Sequence, residues 1–185
     1  MSIIFVCLWI INSFVYGIEF TEFVVFPNMV VVDWVIIVFC EIILLKYFHL
    51  KKYQAAFVTG LISAITFMVL YTSVFTFFKG VGSGEYINLI LAVHLIAAIT
   101  FSFSLVFSKA SERPTLKYAG VLGIVVGSIV LSTHMFGLNL VEGATLNIVL
   151  EIQFWSSRIG DALILMFYIL NFYQEWKSDS SPVLA

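Results

Sequence analysis

The chain has 185 residues, of which 62% are hydrophobic and 11% charged. A soluble domain carries about 25% charged residues, so this composition excludes an ordinary soluble globule and implies an integral membrane protein whose first partner is the lipid bilayer. The formal net charge of −2, with no basic run longer than Lys51-Lys52, excludes nucleic acid as a partner and argues against a polybasic lipid-binding tail.

A hydrocarbon core of about 30 Å is crossed by about 20 apolar residues in a helix. Six segments meet or approach that length: 3–20, 24–47, 55–78, 86–108, 118–138 and 147–173. The expected fold is all-α: one polytopic six-transmembrane-helix bundle spanning 1–185. The first segment has Val15-Tyr16-Gly17 as a conceivable cleavage site. No Lys or Arg precedes Lys46, however, so the basic region of a signal peptide is missing and a retained helix is expected. The second segment has Pro27 in its first turn, where a missing N–H does no harm, followed by Asp33, Cys40 and Glu41. Cys7 and Cys40 match no redox or zinc spacing and read as small core hydrophobes.

The third segment carries Thr59, Ser63, Thr66 and Ser73 on one face, a hydroxyl stripe suited to bonding across helices. Gly80-Val81-Gly82-Ser83-Gly84 makes a tight loop to the fourth segment, where Ala97, Ala98, Phe101 and Ser104 follow His94 on a broad face. Ser111-Glu112-Arg113-Pro114 then ends one helix and starts another. On the fifth segment Gly120, Gly123, Gly127 and His134 lie near one face. Small residues at such spacing let a neighbouring helix approach closely, which also points His134 inward. The sixth segment places Asn147, Glu151, Arg158 and Asp161 on one face around Trp155, with Arg158 and Asp161 at pairing distance.

Basic residues set the orientation. Lys46, Lys51, Lys52, Lys109, Arg113, Lys117 and Lys177 all fall on one side of a six-span arrangement, with only Lys79 opposite, beside Glu19, Glu22, Glu85 and Glu142. The positive-inside rule puts both termini in the cytoplasm, in a plasma or inner membrane. Tyr47, Tyr53, Tyr118, Tyr173 and Trp176 gather at the same interface, as aromatic anchors do.

A charge at mid-bilayer costs about 2.5–3.5 kcal/mol on insertion scales, so Asp33, Glu41, His94, His134, Glu151, Arg158 and Asp161 each require a reason. By the helical rise, His94 lies about 12 Å, His134 about 6 Å and Asp33 about 13 Å from the outer surface. Asp33, His94, His134 and Glu151 thus form an expected outer-half cluster. Arg158 and Asp161 form a buried ion pair, and Glu41 pairs with Lys46 or His49 or snorkels to the inner interface.

Three functions follow from such a cluster. Buried imidazoles and carboxylates relay protons or bind cations or a small substrate. Alternatively, His94 and His134 hold haem b as a redox subunit, or these two with Asp33 and Glu151 hold one metal ion. A third reading is a structural or assembly subunit, in a larger membrane complex or a homo-oligomer, whose buried charges fix helix register. No G-x-S-x-G, H-E-x-x-H or Walker pattern occurs, so nothing argues for an enzyme.

Overall fold

The computed structural model describes the backbone of residues 27–78, 84–140 and 144–180. The first apolar segment and Cys7 lie outside the described residues, as do the side chains of 27–37, Asn147 and Arg158.

The described backbone is all-α, with no strand. It forms α1 (Pro27–Leu50), α2 (Gln54–Phe78), α3 (Gly84–Phe107), a 3-10 turn (Lys109–Glu112), α4 (Pro114–Leu140) and α5 (Ala144–Ser180). These helices coincide with the second to sixth apolar segments. Tyr86–Phe107 and Pro114–Met135 are long and apolar enough to cross a membrane. Proline stands at the first position of both α1 and α4, where its fixed φ suits a helix start and its missing donor costs nothing. The residue before the second of these, Arg113, is extended at φ −93°, ψ 109°, because the proline ring disfavours helix there.

The α1–α2 turn is a Schellman motif. The Tyr53 N–H donates to the Phe48 carbonyl at 2.9 Å and the Lys52 N–H to the His49 carbonyl at 3.1 Å, which satisfies carbonyls the helix end leaves over. Lys52 takes the left-handed position, φ 57°, that glycine usually fills. The motif reverses the chain within three residues and brings the Tyr53 ring 6.4 Å from that of Phe48.

Each helix packs mainly on the next in sequence: α1 on α2, α2 on α3, α3 on α4, α4 on α5. The α3–α4 contact depends on glycine. A Cβ at Gly120 would stand 2.8 Å from the Ser102 carbonyl oxygen, and one at Gly127 2.7 Å from Ile99 Cγ1. At Gly123 it would collide with the Ser102 hydroxyl, and at Gly160 of α5 with Val126 of α4. The tightest core lies at the end of the bundle that carries Lys51 and Arg113. There Tyr47, Phe48, Tyr53, Ala56, Leu105, Ala110 and Leu116 cluster, with Phe48, Ala56, Ala110 and Leu116 wholly buried. Away from it the helices carry large apolar side chains on their outer faces, among them Val69, Ile96, Val125 and Ile159.

The sixth apolar segment ends at 173, and α5 continues beyond it to Ser180. Its last turns hold buried Asn171 and Glu175.

Candidate functional site

Two groups of polar side chains stand out, one along the α2–α3 seam and one at the basic end. On the seam, helical spacing gives α2 the row Thr59, Ser63, Thr66, and antiparallel α3 brings Ser104 and His94 against it. Thr66 Oγ1 lies 3.2 Å from Nδ1 of the half-buried His94 and 2.9 Å from the Ser63 carbonyl oxygen. The Phe67 ring covers the imidazole at 5.4 Å. One helical step of seven residues away, about 10 Å along the axis, Thr59 Oγ1 lies 2.8 Å from Ser104 Oγ and 2.7 Å from the Ala55 carbonyl. Ser104 Oγ in turn donates to the Phe101 carbonyl at 2.6 Å.

A hydroxyl has one proton to donate. Thr66 can give it to the Ser63 carbonyl or to a bare His94 Nδ1, and a protonated Nδ1 can donate to Thr66. Thr59 and Ser104 share two protons among three contacts. The expected hydroxyl stripe makes cross-helix contacts at Thr59 and Thr66.

The remaining expected residues are dispersed. His134 of α4 is 5% exposed, and its Nε2 lies 3.3 Å from the backbone carbonyl oxygen of Asn88 on α3. Glu151 is exposed and lines a groove of about 500 Å³ between α4 and α5, beside Ile152, Trp155 and Ser156. Among the described residues no three His, Cys, Asp or Glu side chains are placed to hold a metal ion. His94 and His134 have separate partners, Thr66 and the Asn88 carbonyl, and Glu151 is exposed. The Asp33 and Arg158 side chains lie outside the described residues, which leaves the Arg158–Asp161 pairing there too; Asp161 is half-buried. Glu41 is half-buried and makes no ion pair with Lys46 or His49. The His49 ring instead lies 5.3 Å from that of Phe57, tilted by 52°.

The basic-end group centres on Glu175, 8% exposed. Its Oε2 receives Lys51 Nζ at 2.6 Å. Its Oε1 receives an Arg113 guanidinium nitrogen at 3.0 Å and the Tyr47 hydroxyl at 3.1 Å. Behind it runs a one-way chain of donors. Thr115 Oγ1 donates to Asn171 Oδ1 at 3.0 Å, and Asn171 Nδ2 donates to the Tyr47 oxygen at 2.9 Å. The chain ends on the carboxylate, which only accepts. A side-chain hydrogen bond with Tyr53, reinforced by the Glu175 charge, holds the Arg113 guanidinium above its ordinary pKa range against the opposing effect of burial.

Local structure delivers each member. Tyr47 and Lys51 sit at the end of α1 and in its Schellman turn. Arg113 is extended by Pro114, Thr115 opens α4, and Asn171 and Glu175 are one turn apart on α5. Sequence reasoning treated Lys51 and Arg113 as orientation markers and missed Asn171 and Glu175. The available signal was their four-residue spacing at the basic end of the sixth segment. No known protein family, curated protein or solved structure matches this chain.

Proposed function

We propose that the chain is a six-span membrane protein, with both termini on the cytoplasmic side, that passes protons or a small cation along the α2–α3 seam, with His94 as the titrating group. The observation that carries this reading is the His94–Thr66 contact, with a second hydroxyl pair, Thr59–Ser104, about 10 Å further along the same seam. At each of the two sites the acceptors outnumber the hydroxyl protons, so the hydroxyls can reorient without breaking a helix, as a proton relay requires. Support for the six-span arrangement comes from five described helices of 24 to 37 residues, each at or beyond the length a bilayer demands. Their exposed apolar side chains point the same way, because patches this large on a soluble monomer are rare. His134 and Glu151 stand apart from the seam in this reading.

The test is proton flux in liposomes holding a pH-sensitive dye. Liposomes with the protein should collapse an imposed pH gradient faster than empty ones. His94→Gln keeps a hydrogen-bonding side chain but cannot titrate, and should slow the protein-dependent rate by at least about tenfold. A parent protein that leaves the rate at that of empty liposomes ends the proposal. A second reading, a structural subunit, is favoured by a different observation. Among the described residues every buried side-chain nitrogen and oxygen has a hydrogen-bond partner, as register-fixing polar groups should. Absence of flux together with a fixed-stoichiometry membrane partner would establish that reading.

A further inference from the structure

The Glu175 network does more than satisfy buried polar atoms. We infer that it is a releasable lock that holds the basic ends of α1 and α5 together over the core beneath. Among the described residues α1 packs on α2, more sparsely than the other neighbouring helices pack on one another, and shares still less backbone contact with α5. What ties α1 to α5 is side chains at one end: Tyr47 and Lys51 on Glu175, Asn171 on Tyr47, and the Tyr47 ring edge-on to Phe172 at 5.0 Å. A joint made by side chains opens without moving a helix–helix packing surface.

Its charged half is reachable from water. The Lys51 and Arg113 side chains are 38% and 40% exposed, against 11% for the Glu175 side chain. These two cations come from different connections, the α1–α2 turn and the residue before α4. Glu175 of α5 therefore gathers both loops and the end of α1 onto one carboxylate. A glutamine there keeps the shape but offers one acceptor oxygen, and its amide N–H groups would face Lys51, Arg113 or the Tyr47 proton. The substitution removes the charge that draws both cations in. Ala56 is wholly buried in the same cluster as Tyr47, so water reaching Ala56 reports that this end has opened. This inference stands whether or not the seam conducts protons, because its readout is access rather than flux.

The experiment uses the full chain in nanodiscs with Cys7 and Cys40 replaced by alanine and a reporter thiol introduced by Ala56→Cys. A water-soluble maleimide should label this protein slowly. Labelling should accelerate by roughly tenfold or more, as for a local opening, when Glu175→Gln is added, and likewise when Lys51→Gln and Arg113→Gln are added together. A second reporter, Ala97→Cys on α3, buried outside this cluster, should keep its parent rate. Parent-rate labelling of Ala56→Cys in both backgrounds overturns the lock. So does equal acceleration at Ala97→Cys, which would mean general loosening. Should Glu175→Gln not accumulate, the Lys51→Gln, Arg113→Gln protein decides by the same two rates.

Discussion

Asn171 uses both ends of its amide at 1% exposure, donating to Tyr47 and accepting from Thr115. Asn171→Leu keeps the branching of the side chain but deletes both bonds and leaves the Thr115 hydroxyl without its acceptor. The expected loss is about 2 kcal/mol, read as a lower thermal unfolding midpoint in detergent; a midpoint equal to the parent's would mean the amide carries no stability. The residue scale is also where the sequence was hardest to read. His94 could be assigned an inward face from its small and polar neighbours, and Thr66 belongs to the hydroxyl stripe of the adjacent segment. Glu175 gave no such cue. A glutamate beyond the end of an apolar run looks like part of a solvated tail, and its burial is imposed by Lys51, Arg113 and Tyr47, all more than 60 residues away in the chain.

At the scale of helices, the glycine face of α4 decides how near α3 can come. Its spacing in the sequence announced a close approach, and the structure supplies the partner: Ser102, Leu105 and Val106 opposite Gly120, Ser102 opposite Gly123, Ile99 opposite Gly127. Gly123→Ala drives a methyl into the Ser102 hydroxyl, and with backbone close behind on both sides the helices must part. The expected cost is about 1–3 kcal/mol. Adding Ser102→Ala should recover part of it, since the Ser102 hydroxyl bonds only within its own helix, to the Ala98 carbonyl at 2.9 Å. Thermal unfolding of the two single variants and the double variant checks the coupling; strictly additive losses would refute the contact. The end of α5 shows the opposite case. Hydropathy stops at Tyr173 and the helix runs on to Ser180, with Glu175 anchored from outside its own segment.

At the scale of the whole molecule, the six-span proposal makes a sidedness prediction. In a background without native cysteines, Lys52→Cys and Lys177→Cys, both at exposed positions, should react with an impermeant maleimide from one side of the membrane only. Tyr86→Cys, exposed at the start of α3, should react from the other. Labelling of Lys52→Cys and Tyr86→Cys from the same side would reject an α2 that crosses the bilayer.

The sequence by itself determined that the chain is helical, where the helices break, and which of their faces are small or polar. Those properties depend on local chemistry: apolar runs of bilayer length, proline at helix starts, glycine and serine at fixed spacing. It also determined the grouping of basic residues at 46–52, 109–117 and 177. Only the tertiary structure decided which polar groups meet. It gave His94 to Thr66 and His134 to the Asn88 carbonyl, and gathered Lys51, Arg113 and Tyr47 around Glu175 with Asn171 behind Tyr47. A helical period says which way a side chain faces, but not which neighbouring helix it faces or at what height. Those depend on how closely α3 and α4 nest over their glycines, and on how the turns at Lys52 and Pro114 aim the two cations.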